Sequence, residues 1–297
     1  MLDLLIPTIA QGLLWSLLAL GVYITFRVLD IADLSVEGTF PLGAAVAATC
    51  ITSGHSLVTA FVLAVLAGCV AGAVTGLLTT KLKIPALLSG ILTMIGLYSI
   101  NLRVMGRANL SLLGQTTIYS WGASAGLTEA QTTLAVGLIA ALLVVAVVYW
   151  FFGTEIGLAL RATGYNPQMS RAQGVNTDSM VILGLLLSNG LVALSGALVG
   201  QSNGFADGGM GVCSIVIGLA SVIIGEVLFG TRSFKNCLIS VVLGSIVYRL
   251  VIAIVLELGM PPNDLKLFTA ILVAIALSLP LIQSKLRAAS RLTGRAS

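Results

Sequence analysis

The chain has 297 residues, of which 58% are hydrophobic and only 9% are charged. Soluble globular domains carry about 25% charged residues, so this composition excludes a water-soluble protein. The uncharged runs reach the length of about 20 residues that a helix needs to cross a bilayer, and they lack the alternation of barrel strands.

The apolar runs predict an all-α integral membrane protein, with residues 1–297 forming a single transmembrane domain of about nine helices. The second predicted helix is short, contains Pro41, and follows a charged stretch at 30–37. The uncharged but polar stretch 108–128 predicts an external loop or a re-entrant segment. In chain order the predicted spans are Leu4–Phe26, Gly38–Thr52, Leu57–Thr79, Pro85–Leu102, Thr132–Phe152, Ser179–Gln201, Gly211–Gly230, Asn236–Leu256 and Leu267–Ser284.

The basic residues indicate how these helices are oriented. If the loop 153–176 is cytoplasmic, alternation places most Lys and Arg residues inside, as the positive-inside rule requires. This predicts an external N-terminus and a basic cytoplasmic tail at 285–297. The net charge of +4 then reflects topology and does not indicate nucleic-acid binding. The residues placed inside are Arg27, Lys81, Lys83, Arg161, Arg171, Arg232, Lys235, Lys285, Arg287, Arg291 and Arg295, and those outside are Arg103, Arg107 and Lys266.

A short repeated motif suggests two related halves. Ile31-Ala32-Asp33 follows the first span, and Phe205-Ala206-Asp207 follows the sixth, which runs in the opposite direction. We therefore predict inverted repeats, with the solute path at their interface, as in many transporters. The first repeat covers about 1–130 and the second about 178–284, and a linking span lies at 131–153.

The longest cytoplasmic loop, 154–177, contains the signals of a short capped helix. Asn166 is a favourable N-cap, Pro167 suits the first helical turn, and Gly174 suits the left-handed position after the helix. These residues predict a helix of about seven residues beneath the membrane. The alternative interpretation is a solvated connector with ordinary caps.

Several motifs resemble one family of transport proteins. The run Gly157–Asn176 is similar to the coupling-loop signature of ABC permeases for branched-chain amino acids and ribose, and Asp33-Leu34-Ser35-Val36 resembles a motif of the sugar permeases. The region Leu185–Gly230 is similar to the same superfamily. Asn101–Asn109 and Asn263–Leu267 resemble a bacterial ABC permease subfamily, some members of which are linked to tryptophan or tyrosine uptake. Glu37 departs from the glycine usual in sugar permeases, which argues against a sugar.

The resemblance implies a permease subunit of an ATP-binding-cassette importer in the bacterial cytoplasmic membrane, moving a small polar solute, favoured as an amino acid. It implies a dimer of permease subunits, cytoplasmic ATPase subunits that hold ATP and magnesium, and an extracytoplasmic solute-binding protein. None of the five lysines lies in a P-loop motif, so we expect no cofactor and no ATP hydrolysis in this chain. The residues expected to couple to the ATPase are Arg161, Gly164, Asn166, Pro167, Arg171 and Gly174.

Ionisable groups inside membranes are costly and usually face a cavity. We therefore expect Asp33, Ser35, Glu37 and Asp207 to line or gate the path, with helix N-capping as the alternative for the acids. The external Arg103 and Arg107 are candidates for seating a substrate carboxylate or an acidic lobe of the binding protein, or they simply snorkel to the interface.

Other polar residues carry weaker predictions. Arg249 is expected to face the protein interior, and its depth in the membrane argues against pairing with Glu226. His55 lies in an external turn, and the sequence predicts no metal site. Two rival functions are an ion-coupled secondary transporter of amino acids and an intramembrane enzyme, for which no catalytic constellation is visible.

Overall fold

The computed structural model describes residues 2–120, 122, 126, 128–259, 267–271, 274 and 278. Apart from one short strand pair, the described elements are helical. The helices are α1 Leu2–Tyr23, continued by a π-helical turn Ile24–Val28, then α2 Val36–Thr52, α3 Leu57–Thr80, α4 Ala86–Met105, α5 Glu129–Phe152, α6 Glu155–Tyr165, α7 Pro167–Ala172, α8 Thr177–Asn203, α9 Ser214–Phe229 and α10 Phe234–Glu257. The strands β1 Asn109–Ser111 and β2 Phe205–Asp207 form an antiparallel pair.

Eight of the nine predicted spans correspond to apolar helices in this structure. Six helices of the described residues are long and apolar enough to cross a membrane, and α2 and α9 are shorter apolar helices. The prediction placed the seventh span from Gly211, but α9 begins at Ser214 because Cys213 adopts a left-handed backbone conformation (φ 67°). The ninth predicted span, 267–284, lies mostly outside the described residues.

The helices form two sets, α1–α4 and α8–α10, and each set packs against the other in the same way. The first helix of each set, α1 or α8, packs against the second and third helices of the other set, so that α1 contacts α9 and α10 while α8 contacts α2 and α3. Glycines allow this close approach, as expected where lipid removes the hydrophobic drive between helices. Along α3, a Cβ added at Gly68, Gly72 or Gly76 would collide with backbone atoms of α8.

The loops predicted to be cytoplasmic lie together at one end of the bundle. The end of the π-helical turn at Val28 contacts Gly164 of α6, and Lys81 after α3 lies 3.8 Å from Asp178 at the start of α8. At the opposite end, Asn109 of β1 pairs with Asp207 of β2. Within the described part of 108–128 there are a strand and turns but no helix of spanning length.

Candidate functional site

The chain between α1 and α2 is irregular backbone that carries a buried acid. Asp33 is 2% exposed, and its Oδ1 accepts a hydrogen bond from the Ser35 backbone N–H at 2.9 Å. Its Oδ2 accepts a second bond from Nδ2 of Asn189 at 2.8 Å. Buried polar groups need such partners, because an unsatisfied one costs about 1–3 kcal/mol. The acid is therefore part of a closed polar network in this conformation.

Asn189 joins the two halves at the centre of that network. Its Oδ1 accepts bonds from the hydroxyls of Ser35 at 3.1 Å and Thr39 at 2.7 Å, and its Nδ2 also donates to the Leu185 carbonyl at 3.0 Å. Asn189 lies near the middle of the 27-residue helix α8, which spans about 40 Å. The helix α2, which starts beside Asn189, therefore begins about half-way along α8.

The two short helices begin next to each other. Glu37, in the first turn of α2, accepts a hydrogen bond from the Cys213 backbone N–H, at the N-terminus of α9, over 3.1 Å. A Cβ at Gly211 would overlap the carbonyl oxygen of Glu37, so the backbones touch there. Many transporters place a binding site near the bilayer midplane at the N-termini of interrupted helices, so this junction is a candidate for the solute path.

The predicted path residues thus occupy three different places. Asp33 and Ser35 lie in the buried network, and Glu37 lies at the junction of α2 and α9. Asp207 lies further toward the other end, in β2 opposite Asn109, where its carboxylate accepts a bond from the Gly209 N–H at 3.3 Å. The junction brings Glu37 and the 208–213 loop together, but Asp33 and Asp207 do not meet.

Arg249 faces the protein interior, as predicted, and its nearest described partner is aromatic. The guanidinium carbon lies 4.3 Å from the centroid of the Trp15 ring, which in turn packs on Phe40 at 4.9 Å between centroids. Arginine stacks favourably on an indole face in this way. Among the described residues, its Nε has no hydrogen-bond partner.

Glu226 is instead paired with Arg27, a pairing that the sequence analysis did not anticipate. The Arg27 Nε lies 2.9 and 3.0 Å from the two carboxylate oxygens of Glu226, and its terminal nitrogen also bonds to the same group. Such a two-point contact is the stronger form of an ion pair. It ties the π-helical turn after α1 to the end of α9, at the end of the bundle predicted to be cytoplasmic.

The short helix α7 has the caps that its sequence predicts. The Asn166 side chain accepts a bond from the Met169 N–H at 3.0 Å, Pro167 occupies the first helical position, and Gly174 has φ 82°. At its far end, the Arg171 Nε donates to the Thr177 hydroxyl at 2.7 Å. The helix is six residues long, and both of its ends are fixed.

The helix α6, immediately before α7, was not predicted. The Thr154 side chain caps it by accepting a bond from the Gly157 N–H at 3.3 Å. Its Arg161 stacks on the Phe234 ring at 4.7 Å, which connects α6 to the start of α10. A Cβ at Gly164 would collide with the backbone at Val28, so α6 lies directly against the end of α1.

The α6–α7 segment also exposes large side chains on the surface of the protein. Tyr165, the last residue of α6, is 94% exposed, and Met169, in the first turn of α7, is 61% exposed. Two open grooves of about 810 Å³ flank this turn. At the opposite end of the bundle, Arg103 and Arg107 are exposed around the end of α4, and His55 lies exposed in a turn after α2.

Comparison with known proteins places most of the chain in one family. A profile of the family described as branched-chain amino acid transport system / permease component matches residues 4–277. The chain is 41% identical over 269 residues to a tyrosine transport system permease protein of Clostridioides difficile (strain R20291), covering 91% of this chain and 88% of the relative. It is 34% identical over 281 residues to an uncharacterised protein of Rickettsia prowazekii (strain Madrid E), covering 93% and 98%.

Among solved structures, an ABC transporter of metal-chelate type in an inward-facing conformation aligns with a TM-score of 0.49 at 15% identity. That alignment covers 95% of this chain and 85% of the other. The family profile spans nearly all of the apolar helices described above, and the relative at 41% identity shares most of its length with this chain. The chain is therefore a multi-pass membrane protein and belongs to the branched-chain amino acid permease family of ABC transporters.

Proposed function

We propose that this chain is the membrane-spanning subunit of an ATP-driven importer that moves an amino acid across the bacterial cytoplasmic membrane by alternating access. The observation that carries the proposal is the α6–α7 segment. Its helices are capped at both ends, and it exposes Tyr165 and Met169 at the end of the bundle predicted to be cytoplasmic. Exposed aromatic and methionine side chains beside grooves are typical of protein docking sites.

The contacts of this segment provide a route from a docked ATPase to the solute path. Gly164 of α6 lies against the backbone at Val28, and the chain runs from there through 29–32 to Asp33. Asp33 and Ser35 are bonded to Asn189 of α8 at the beginning of α2. A displacement of α6 would therefore be transmitted to the short helix α2 through a short series of packed and hydrogen-bonded groups.

An amino acid as cargo is supported by two observations. The relative from Clostridioides difficile is named a tyrosine transport permease, and Glu37 places a carboxylate beside the junction of α2 and α9. The interlocking of α1–α4 with α8–α10 supports inverted repeats. We propose that the N-terminus lies outside and the tail at 285–297 inside, as the positive-inside rule predicts. We propose a homodimer, two cytoplasmic ATPase subunits that bind ATP and magnesium, and a solute-binding protein that docks at Arg103 and Arg107.

Reconstitution tests this function. The purified chain and its ATPase subunits are placed in proteoliposomes, and uptake of labelled aromatic amino acids delivered by the binding protein is followed with ATP, with a non-hydrolysable ATP analogue, or with an imposed ion gradient. We expect uptake only with hydrolysable ATP. Uptake driven by the ion gradient without ATPase subunits would support a secondary transporter and overturn the proposal.

A further inference from the structure

A cavity of about 330 Å³ lies between α2, α4 and the loop before α9, beside the junction of the two short helices. Small-molecule sites have volumes of about 300–1,000 Å³, and this cavity lies at the lower end of that range. It therefore suits a small ligand. Its walls are mainly apolar and include the ring of Tyr98 together with Met94, Ile95 and Val212. The combination of an apolar wall with few polar groups is typical of a ligand site.

Two residues that line this cavity, Glu37 and Asn101, carry hydrogen-bond acceptors. Glu37 uses one carboxylate oxygen to accept the Cys213 N–H, and its other oxygen accepts no hydrogen bond from the described residues. Asn101 is fully buried, and its Nδ2 donates to the Gly38 carbonyl at 3.1 Å. Since that bond fixes the orientation of the amide, its Oδ1 is an acceptor, and among the described residues it is buried without a partner.

The unsatisfied Asn101 oxygen indicates which kind of chemical group would suit this part of the protein. An unpartnered buried acceptor costs about 1–3 kcal/mol, which a ligand that supplies a donor would recover. A carboxylate on α2 and a carboxamide oxygen on α4 favour a positively charged donor and disfavour an anion. An ammonium group meets both requirements, because it has three donors and no acceptor.

We propose that this cavity binds the ammonium group of an α-amino acid between the Glu37 carboxylate and Oδ1 of Asn101, with the apolar side chain of the solute against Tyr98, Met94 and Ile95. This proposal rests on the proposed transport function and adds the residues that hold the ammonium group of the solute. Tyr98 contributes an aromatic face that stacks with an aromatic solute. Sugars fit less well, because most of the lining residues are apolar and each hydroxyl would need a polar partner.

The test is direct binding to the full transporter in nanodiscs, without the binding protein, so that only the permease site is measured. The probes are L-phenylalanine, 2-phenylethylamine, which keeps the ammonium group, and 3-phenylpropionate, which keeps only the carboxylate. We expect the two amines to bind and 3-phenylpropionate to bind at least about tenfold more weakly. Binding of 3-phenylpropionate as tight as that of L-phenylalanine overturns the proposal.

Variants assign the effect to the cavity. Glu37→Gln keeps the shape and the acceptor for the Cys213 N–H, and Asn101→Leu removes the carboxamide; each is expected to weaken L-phenylalanine binding about tenfold or more. Ser89→Ala, a buried position on α4 away from the cavity, is the control and should leave binding unchanged. If Asn101→Leu does not fold, Glu37→Gln alone decides, and unchanged binding in that variant overturns the assignment.

The outcome separates this inference from the proposed function. ATP-driven uptake of phenylalanine together with unchanged binding in Glu37→Gln would refute the proposed ammonium site but support the proposed import function. If only probes with an ammonium group bind, and no ATP-driven uptake occurs, the proposed ammonium site is supported and the proposed import function is refuted.

Discussion

Replacing Asn189 with leucine should be among the most destabilising single changes that this chain can undergo. Leucine has a similar length and branching, so the packing of α8 is largely kept while the hydrogen bonds are lost. The bonds at stake are those from Nδ2 to Asp33 and Leu185 and those from Ser35 and Thr39 to Oδ1. All of these residues except Leu185 belong to the buried polar network.

The magnitude follows from which groups lose their partners. The Thr39 hydroxyl retains a bond to the Ser35 carbonyl at 3.0 Å, so its loss is small. Asp33 keeps only the Ser35 N–H, and Ser35 loses the acceptor of its hydroxyl. A hydrogen bond to a charged group is worth about 1.5–3 kcal/mol and a neutral one about 1 kcal/mol, which gives a loss of about 2–4 kcal/mol in the free energy of unfolding.

Unfolding of the purified chain in mixed micelles of increasing SDS content measures this loss. Ser195→Ala is the matched control, because Ser195 is also buried in α8 but makes a single hydroxyl bond to the Leu14 carbonyl at 2.8 Å. That variant should lose about 1 kcal/mol. If Asn189→Leu is no less stable than Ser195→Ala, the network does not hold the beginning of α2 in place.

Three further changes test other parts of the account. Glu37→Gln should lower amino-acid uptake about tenfold with little change in the SDS unfolding midpoint, and unchanged uptake kinetics would reduce Glu37 to a capping role. Gly164→Ala should abolish uptake and lower stability by about 1–3 kcal/mol through collision with the end of α1, whereas Gly96→Ala, where an added Cβ meets nothing, should be tolerated in an uptake and unfolding comparison. A double-mutant cycle of Arg27→Met and Glu226→Gln should give a coupling free energy of about 1 kcal/mol, and additive effects would show that the pair contributes nothing.

Local sequence signals were sufficient for α7 but not for α6. Asn166, Pro167 and Gly174 each fill a position whose backbone requirements can be read from neighbouring residues alone. In α6, Gly157 and Gly164 lower helix propensity, so the segment looks like a loop. Tertiary contacts explain why glycine stands at both positions. Gly157 lies against the backbone of α5 at Phe151, and Gly164 lies against the backbone at Val28.

For the same reason, the polar contacts between α1–α4 and α8–α10 could not be predicted from the sequence. The pair Ser188-Asn189 in the middle of an apolar span was a usable signal, since polar groups there must find partners, but nothing local identifies Asp33 as that partner. Arg27 follows the first predicted span and Glu226 lies near the end of the seventh, so the two residues are far apart in the chain. Packing of α1 against α9 decides this pairing, and one sequence does not reveal which helices are neighbours.

The most direct test of the central claim is photo-crosslinking from the turn between α6 and α7 in intact cells. A photoreactive amino acid at Tyr165 should crosslink to a cytoplasmic ATP-binding subunit, and the same residue at His55, in the turn at the opposite end of the bundle, should not. If Tyr165 crosslinks to no other polypeptide, or if this turn is labelled by reagents added outside the cell, the segment does not couple ATP hydrolysis to transport.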